Sequence, residues 1–408
     1  MPGADPKGTL DPTIVVTGLG AVTAFGWGAN ALWEGLLRGR PAISAITRFD
    51  GKRHRTPLAA EVPLHEAPQG ARRAPWTDRF AVAAAREAMR QAGLGEASAA
   101  GVYFGSSTGG MLESEAFYES LLRRGRRRAR PSLLVAQQLN GPGDAVARDA
   151  GATGPVETVS SACSSGSMAI GAALRALRRG DVDLALAGAS DSLCQLTHAG
   201  FNSLRAVDER PCRPFRKDRL GLSIGEGAGV LVLETLTHAR ARGARPIAIL
   251  AGEAATCDAH HMTAPHPEGR GAFEAIEAAL ADAGVDRDEI DFVNAHGTGT
   301  PLNDLAEARA MRRVFGARAA SLPVTSTKAL IGHLLGSAGA VEAVATVLGL
   351  ARREVHPMPA DGAPDEEIGL RLVLGAPLRL VRASAAVSTN LAFGGANAAL
   401  VFRSVEAA

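Results

Sequence analysis

Short apolar segments alternate with helical segments along almost the whole chain. The runs at 13–20 (TIVVTGLG, ending in glycines) and 101–105 (GVYFG) are typical of buried strands, whereas 29–37, 81–92 and 338–352 have helical patterns. Strands that alternate with helices favour mostly parallel sheets, because parallel strands need a long crossover connection between them. The sequence therefore predicts an α/β fold.

A weak internal repeat accompanies this alternation. The predicted strand, loop and helix start of 155–163 (PVETVSSAC) are similar to those of 323–328 (PVTSTK), which run on to Gly332 and His333. Two such units suggest a duplicated fold whose halves meet near residue 250. We assign residues 12–250 to the first half and 251–408 to the second.

Composition excludes several classes of protein. The 44 Lys+Arg and 42 Asp+Glu residues leave a net charge of +2, which argues against a nucleic-acid-binding protein unless a basic patch is local. The four cysteines form no CxxC pair, so neither a disulfide framework nor a zinc knuckle is expected. The N-terminal MPGADPKGTLDP is polar, and no apolar run approaches the roughly 20 residues of a membrane span. We expect a cytoplasmic protein without signal peptide or membrane span.

Four segments concentrate Gly, Ser and Thr where a predicted strand ends. They are SSACSSG around Cys163, NAHGTGTP at 294–301, STKALIGHLLGSAGAVE at 326–342 and NLAFGGAN at 390–397. The carboxyl ends of strands are where α/β folds bind ligands. These segments therefore predict the functional site.

Cys163 lies between a predicted strand and a predicted helix. A buried, inert cysteine is the ordinary alternative. At a helix N-terminus, however, the helix dipole favours the thiolate, and the small residues of 164–167 leave room for a thioester. Cys163 is therefore a candidate nucleophile, whereas Cys194, Cys212 and Cys257 lack such a setting and are interpreted as structural.

Two histidines and a lysine occupy the next two segments. His296 precedes Gly-Thr-Gly-Thr-Pro, and Lys328 lies five residues before His333. A satisfied structural histidine is the alternative for His296. A lysine beside both histidines would keep the rings neutral by like-charge repulsion, so that each can donate an N–H to an oxygen. With a cysteine nucleophile, this set suits carbon–carbon bond formation on thioesters better than hydrolysis, which needs a base beside the cysteine.

These four segments, in this order, resemble those of the beta-ketoacyl-ACP synthases of the type I/II, Cys-His-His class, in the thiolase superfamily. The similarity extends over essentially the whole chain and includes DAHHMTAP at 258–265 and RPFRKDRLGLSIGEGAGVLVLE at 213–234. The resemblance implies a thiolase-like duplicated fold, a five-layered αβαβα sandwich that usually dimerises. It also implies decarboxylative Claisen condensation of a cysteine-bound acyl chain with malonyl-ACP.

The resemblance implies a role for each matching residue. Cys163 matches the acyl-accepting nucleophile, and His296 and His333 match the pair that holds the malonyl thioester carbonyl. The other matches are Lys328, which supports His333, Glu342 as a nearby acid, Thr298 and Thr300 as pantetheine-binding threonines, and Phe393 with Gly394 in the gating and oxyanion loop. No cofactor is implied, because the substrates are carried on the 4'-phosphopantetheine of the acyl carrier protein.

Two regions depart from the family pattern. The family loop usually reads Asn-Ser-Phe-Gly-Phe-Gly-Gly, whereas residues 389–395 read Thr-Asn-Leu-Ala-Phe-Gly-Gly, with Leu391 for a phenylalanine and Ala392 for a glycine. Thr108 stands where fatty-acid enzymes often have a bulkier isoleucine that lines the acyl pocket. A smaller residue lengthens a pocket, which favours an unusual acyl chain, such as a polyene or aryl polyene of a type II polyketide pathway. Fatty-acid elongation is the alternative.

The run RRGRRRAR at 123–130 is the strongest concentration of charge. Such runs are usually solvated loops or nucleic-acid patches. The resemblance points instead to an acidic acyl carrier protein, with Arg127, Arg128 and Arg205 in the docking surface, because a basic patch steers an acidic partner.

The histidines of DAHHM at 258–262 could be read as metal ligands, but no carboxylate spacing completes a site, and no metal is expected. His261 is interpreted as a hydrogen-bonding support of the active site. Asn294, Glu342 and Ser388 match residues that surround a structural monovalent cation in some relatives. The sequence does not decide whether this chain binds that cation.

Other members of the superfamily are rivals. A degradative thiolase needs a second cysteine in the C-terminal Gly-rich loop, which is absent from NLAFGGAN, and a type III initiating synthase has asparagine where this chain has His333. A non-catalytic chain-length subunit usually lacks the nucleophile, whereas this chain keeps Cys163, His296 and Lys328. The expected dimer contains either two copies of this chain or one copy with a chain-length-factor-like paralogue.

Overall fold

Strands and helices alternate through both halves of the chain, of which the computed structural model describes residues 12–67, 74–97 and 99–407. The elements of the first half are β1 (Ile14–Thr23), β2 (Gly26–Trp27), α1 (Ala29–Leu37), β3 (Ser44–Ala45), β4 (Leu58–Ala60), α2 (Trp76–Gln91), β5 (Gly101–Gly105), α3 (Met111–Arg124), α4 (Ser132–Val135), α5 (Gly141–Ala150), β6 (Val156–Val159), α6 (Ser165–Arg179), β7 (Leu184–Asp191), α7 (Gln195–Ser203), β8 (Ile224–Gly225), β9 (Gly227–Thr235) and α8 (Leu236–Ala241). The elements of the second half are β10 (Ala248–Cys257), α9 (Arg270–Ala283), β11 (Ile290–Asn294), α10 (Pro301–Phe315), β12 (Pro323–Thr325), α11 (Lys328–Ile331), α12 (Ala338–Arg352), β13 (Glu354–Val355), β14 (Arg371–Leu372), β15 (Leu378–Arg379), β16 (Ala385–Leu391) and β17 (Ala396–Arg403).

The principal strands form two five-stranded units with the same order. The first unit has the order β6-β5-β7-β9-β1, and the second has β12-β11-β16-β17-β10, with β14 added beside β12. In each unit the first three strands are parallel, and the last two each run antiparallel to the strand before. A short antiparallel contact between β1 and β10 joins the units. The repeated order confirms the predicted duplication.

Helices form three layers around the two units. Helices α6 and α12 lie between the units, where α6 packs on β5, β7 and β10 and α12 packs on β9 and β16. Helices α2 and α5 cover the outer face of the first unit, and α9, with α10 beside it, covers the second. The order helix, sheet, helix, sheet, helix confirms the predicted five-layered sandwich.

Helix α12, in the central layer, is buried along almost its whole length. Every residue from Ala338 to Leu350 is buried, because the helix has a sheet on both sides. Among the described residues, one helical segment, Leu335–Arg352, has the length and apolar character to cross a membrane, and 89% of it is buried inside the protein. Burial between the two sheets therefore explains why this segment is apolar.

The first strand is longer than predicted. β1 does not end at its glycines but continues to Thr23. A Cβ added at Gly18 would lie 2.0 Å from the carbonyl oxygen of Ala88, and one at Gly20 would lie 1.9 Å from that of Ala84. These glycines therefore allow helix α2 to approach the strand closely rather than ending it.

One helix boundary differs from the prediction. Helix α2 begins at Trp76 rather than at 81, directly after Pro75. The difference arises because a run of alanines marks the middle of a helix better than its ends. The strand that opens the second unit, β10, begins at Ala248, and the division of the chain at 250/251 stays a prediction.

We expect Gly20→Ala to lower the free energy of unfolding by about 3 kcal/mol, because the added methyl group overlaps a backbone carbonyl that moves only if helix α2 shifts. Gly95→Ala is the matched control, since a Cβ added there meets no atom within 4 Å. Chemical denaturation followed by circular dichroism measures both variants. Equal stability of the two variants would contradict the close approach of helix and strand.

Candidate active site

The candidate nucleophile lies in a sharp turn between a strand and a helix. A single 3-10 turn, Ala162–Ser164, separates β6 from α6. Ala162 has φ 48°, a left-handed conformation that residues with a Cβ rarely adopt. Its carbonyl oxygen accepts hydrogen bonds from Ser165 Oγ at 2.7 Å and from Ser107 Oγ at 2.9 Å. The serines around Cys163 therefore stabilise the turn as well as leaving space beside the sulfur.

Burial decides the protonation state of Cys163. It raises the pKa of the thiol to about 11, although Lys328 and the backbone N–H groups of Phe393 and of Cys163 itself act in the opposite direction. Desolvation of the sulfur thus outweighs the positive charge and the two N–H groups that favour the thiolate. The two N–H groups lie within hydrogen-bonding reach of the sulfur, and a pair of backbone donors at this place can stabilise an oxyanion.

Three reactive groups converge from distant parts of the sequence. The Sγ atom of Cys163 and one ring nitrogen each of His296 and His333 all lie within 4.8 Å of one another. The two imidazole rings are nearly perpendicular, at 86°, with centres 5.3 Å apart. All three side chains are buried. The structure thus brings together the cysteine and both histidines that the sequence indicated.

Hydrogen bonds determine which nitrogen of His333 carries the proton. The backbone N–H of Leu335 donates to His333 Nδ1 at 2.9 Å, so Nδ1 is the unprotonated nitrogen of the neutral ring. The proton therefore lies on Nε2. This nitrogen is buried and has no partner among the residues that the structure describes. It is available to donate to an oxygen of a bound molecule.

Both histidines are neutral at physiological pH. Burial lowers the pKa of each ring well below its ordinary value, and Lys328 lowers it further; His333 also acts on His296. The predicted neutrality thus has two causes, of which burial is the larger. The spacing of the three reactive groups would admit a metal ion, but the positive charge of Lys328 opposes a second cation there.

Lys328 and Glu342 form a buried ion pair. Lys328 begins α11, Glu342 lies in the first half of α12, and both side chains are almost inaccessible. The Glu342 carboxylate also accepts from Asn390 Nδ2 at 2.7 Å and from Thr327 Oγ1 at 3.3 Å. A buried pair persists only where both charges are compensated in this way. The structure places Lys328 and Glu342 together and adds Asn390, which the sequence did not single out.

Two buried carboxylates that the sequence did not indicate hold the His296 loop. Glu307 accepts the backbone N–H groups of residues 296 and 297, each at 2.8 Å. Asp304 accepts those of residues 298 and 299, each at 3.1 Å. Burial raises the pKa of Glu307 to about 7 and also raises that of Asp304. Both residues lie in the first two turns of α10, and acidic residues that follow a Gly-rich loop were the available signal.

A cavity of about 260 Å³ leads from Cys163 to the surface. Thr298 and Thr300 line it, with their hydroxyl oxygens 2.9 Å apart. Much of the remaining wall is apolar and includes Leu204, Leu220, Leu222, Leu302 and Leu391. A narrow cavity with apolar walls and a few hydroxyl groups suits a long, partly polar chain.

Phe393 lies at the cavity in the turn between β16 and β17. Its ring stacks on that of Phe201 in α7, with centres 5.8 Å apart. The next residue, Gly394, has φ 85°, and its N–H donates to Met262 O at 2.7 Å. An added Cβ at Gly394 would meet no atom within 4 Å, so backbone conformation rather than space requires the glycine.

Thr108 and His261 are among the predicted site residues that do not line this cavity. Thr108 is buried, and its hydroxyl donates to Asp191 Oδ1 at 2.8 Å; its place at an acyl pocket stays a prediction. His261 is exposed, and its Nδ1 accepts from the backbone N–H groups of Thr263 and Ala264. His261 therefore stabilises its own loop and does not contact the catalytic candidates.

The predicted docking arginines lie on different elements. Arg205 follows α7, has φ 53° and lines the cavity where it opens. Arg127 and Arg128 follow α3 and are exposed. Their guanidinium groups form no ion pair with any residue in the described ranges. All three cations are therefore accessible to a partner.

Two buried oxygen atoms without hydrogen-bond partners in the described part of the chain lie among the residues that match the monovalent cation site of some relatives. Asn294 Oδ1 and Ser388 Oγ are buried and have no partner among the described residues. Their residues are opposite each other on the parallel strands β11 and β16. The Nδ2 atom of the same asparagine donates to the backbone oxygen of Glu342 at 3.2 Å. Because buried oxygens are normally paired, this group fits a bound monovalent cation held by oxygen ligands.

We expect the rate at which iodoacetamide alkylates Cys163 to rise about tenfold per pH unit from about pH 7 to about pH 9, because a thiol with a pKa of about 11 is a thiolate only in proportion to hydroxide concentration. Peptide mass spectrometry after timed alkylation measures the rate, with the exposed Cys257 as an internal reference. Lys328→Met should slow the reaction, because it removes a positive charge that lowers the thiol pKa. A plateau near pH 7 would contradict this assignment.

Comparisons with known proteins agree with the geometry. Family models described as "Beta-ketoacyl synthase, N-terminal domain" and "Beta-ketoacyl synthase, C-terminal domain" match residues 11–239 and 247–360. The 3-oxoacyl-[acyl-carrier-protein] synthase 2 of Staphylococcus aureus (strain COL) is 38% identical over 412 residues, which cover 97% of this chain and 99% of that protein.

Two solved structures are similar over nearly the whole chain. The ishigamide ketosynthase/chain length factor has a TM-score of 0.92 at 33% identity, covering 97% of this chain and 100% of that one. A ketosynthase bound to a hexaketide, in complex with its type II PKS acyl-carrier protein, has a TM-score of 0.89 at 29% identity, again covering 97% and 100%. The chain described here belongs to the beta-ketoacyl synthase family.

Proposed function

We propose that this protein is a beta-ketoacyl-ACP synthase in which Cys163 carries the acyl chain that is condensed with a malonyl thioester. The observation that carries the proposal is the convergence of the Cys163 sulfur with ring nitrogens of His296 and His333 within 4.8 Å, at a cavity that opens to the surface. The Staphylococcus aureus relative, a 3-oxoacyl-[acyl-carrier-protein] synthase, supports it.

The first half-reaction is a thioester exchange. The Cys163 sulfur attacks the carbonyl of the carrier-bound acyl thioester, the bond to the carrier's sulfur breaks, and the thiol proton passes to that departing sulfur. The backbone N–H groups of Cys163 and Phe393 stabilise the oxyanion that forms during the attack. A protonated cysteine suits this step, because its proton leaves when the departing sulfur can accept it.

The second half-reaction breaks and forms carbon–carbon bonds. His296 and His333 donate Nε2–H groups to the malonyl thioester oxygen, the bond to the carboxylate breaks, and carbon dioxide leaves an enolate. The enolate carbon attacks the acyl group, and the Cys163 thiolate departs and takes a proton from water. Because burial keeps both rings neutral, they stabilise the enolate oxygen without readily protonating the carbon.

The substrates would bring the prosthetic group that the reaction needs. The hydroxyl groups of Thr298 and Thr300 line the cavity and can hydrogen-bond the amides of a pantetheine arm. The leucine side chains of the cavity wall have no hydrogen-bonding groups, so they contact the rest of the arm through apolar packing alone. On this proposal the protein uses no cofactor of its own, and it works where carrier proteins are found, in the cytoplasm.

An acyl carrier protein is the proposed partner at the cavity opening. Arg205 lies at this opening, where Leu204, Leu220 and Leu302 are more than half exposed. Apolar contacts ringed by positive charge suit a small acidic protein that must deliver a tethered substrate. The type II PKS ketosynthase of similar structure is in complex with its acyl-carrier protein. Arg127 and Arg128 supply further positive charge in the proposed surface.

A type II polyketide pathway and a dimeric enzyme complete the proposal, with fatty-acid elongation as the alternative pathway. The similar ketosynthase of a type II PKS supports the pathway, and the ishigamide ketosynthase/chain length factor supports the dimer. The exposed apolar residues of α3, α4 and α7 are suited to a subunit contact; they are Tyr118, Leu122, Val135 and Leu196. The partner is a second copy or a chain-length-factor-like paralogue.

We expect Cys163→Ala to abolish formation of beta-ketoacyl-ACP from acyl-ACP and malonyl-ACP, because it removes the thiol that lies beside the two histidines. Mass spectrometry of the carrier proteins measures the product. Cys257→Ala is the control, since this cysteine is exposed and outside the group of three. Condensation at the normal rate by Cys163→Ala would overturn the mechanism.

We expect Arg127→Glu combined with Arg128→Glu to reduce elongation of carrier-bound substrates about tenfold, because charge reversal repels an acidic carrier protein. Elongation of small thioester substrates should be unchanged. Arg379→Glu, which reverses an exposed arginine in β15, is the control. An equal loss with both kinds of substrate would show that the arginines do not act in docking.

A further inference from the structure

Asn390 connects three parts of the active site. It lies in β16, one residue before the strand ends, and is fully buried. Its Nδ2 atom donates to Glu342 Oε2 at 2.7 Å and lies 3.4 Å from His296 Nδ1, and its Oδ1 atom accepts from Ser167 Oγ at 2.5 Å. The corresponding family loop has a serine at this position, which is shorter and has no amide. The contact with His296 therefore depends on a residue that departs from the family pattern.

The orientation of the Asn390 amide is determined by its neighbours. The Glu342 carboxylate is ion-paired with Lys328, so its oxygens act as acceptors and require the NH₂ end of the amide. The amide oxygen must then point toward the hydroxyl of Ser167, which can donate. The side facing His296 is consequently a donor.

This donor selects one form of the neutral histidine. A ring nitrogen that faces an N–H must be the unprotonated one, because two donors facing each other would repel. At 3.4 Å the hydrogen bond is weak, but it disfavours a proton on His296 Nδ1. The proton therefore lies on Nε2. Because burial and Lys328 keep the ring neutral, it has only this one proton to offer.

The alternative tautomer would work against the reaction. With its proton on Nδ1, His296 would present a lone pair at Nε2, where the enolate oxygen requires a donor. No other side chain in the described residues donates to Nδ1. The backbone N–H of His296 is engaged with Glu307 and Thr389 and does not fix the ring. Asn390 is thus the contact that distinguishes the two tautomers.

The packing of the central layer keeps space for this arrangement. A Cβ added at Gly339 of α12 would lie 2.3 Å from Ser167 Oγ and 2.8 Å from Asn390 Oδ1. Glycine at this position therefore leaves room for the hydrogen bond between helix α6 and strand β16. Through that bond Asn390 is also tied to the helix that follows the nucleophile.

We infer that Asn390 is a positioning residue that holds His296 with its proton on Nε2 and couples that ring to the Lys328–Glu342 ion pair. The inference rests on the proposed role of His296 as a donor to the malonyl thioester. It assigns no contact with substrate to Asn390. It makes the decarboxylation step, rather than acyl transfer to Cys163, the step that depends on this side chain.

The experiment measures the two half-reactions separately in the full-length protein. In Asn390→Ser we expect malonyl-ACP decarboxylation to fall about tenfold or more, because the histidine can adopt the wrong tautomer, while acylation of Cys163 stays within about twofold. A histidine-ring ¹H–¹⁵N correlation spectrum should show His296 changing from one tautomer to a mixture. Asn202→Ser is the matched control: it removes another buried amide–imidazole contact, from Asn202 Nδ2 to His198 Nδ1 at 3.1 Å, and should leave decarboxylation unchanged.

A second variant provides a pH profile that a purely structural role would not produce. In Asn390→Asp the ionised carboxylate would accept a hydrogen bond from a protonated His296 Nδ1, which selects the wrong tautomer, and would repel Glu342, with Lys328 as the nearest compensating charge. We expect its decarboxylation to recover partly as pH is lowered, because the protonated acid can again donate. Wild type should show no such recovery.

The outcomes separate this inference from the proposed function. Selective loss of decarboxylation in Asn390→Ser supports the inference. Unchanged decarboxylation in Asn390→Ser, with His296→Ala inactive, would overturn the inference alone, as would equal slowing of both half-reactions. Full decarboxylation by His296→Ala would overturn the proposed role of the histidine and the inference with it.

Discussion

The ion pair between Lys328 and Glu342 is the interaction on which the active site depends. Both side chains are almost inaccessible, and taking two charges out of water costs several kcal/mol per ion unless they compensate each other. Here each charge meets the other, and the carboxylate gains hydrogen bonds from Asn390 and Thr327. The positive charge acts on the cysteine and on both histidines, while its counter-ion keeps the buried group neutral overall.

Burial keeps all three reactive groups neutral by shifting their pKa values in opposite directions. It raises the pKa of the Cys163 thiol and lowers that of both imidazoles, so that none of the three is charged at physiological pH. Negative charge would then develop only during the reaction, next to donors that are already in place. Fixed donors in a dry site stabilise such charge more strongly than water does, because they need no reorganisation.

Duplication of the fold is what brings these groups together. The unit β6–turn–α6 carries Cys163, and the equivalent unit in the second half, from β12 to α12, carries Lys328 and His333. The two central helices meet at glycines: a Cβ added at Gly166 would lie 2.7 Å from the backbone nitrogen of Ala340. Close helix contact in the central layer therefore places the nucleophile of one half beside the donors of the other.

Much of the site could be predicted because its reactive residues lie in local motifs. Cys163, His296 and Lys328 each follow a strand in a segment of small residues, which is visible without knowledge of the fold. Asn390 could not be found in this way, because its hydrogen-bond partners Glu342, His296 and Ser167 all lie 48 or more positions away along the chain. Thr108 and His261 lie outside the described cavity, because proximity to a motif does not determine the direction of a side chain.

The sequence by itself determined the α/β class, the duplication and the reactive residue types, because periodicity and turn chemistry are local properties of a chain. The tertiary structure alone decided the protonation of Cys163, the tautomers of the histidines and the place of Asn390. These depend on which atoms cover a group and which donors face it. Desolvation and hydrogen-bond direction are properties of the packed molecule, and a local sequence pattern does not reveal them.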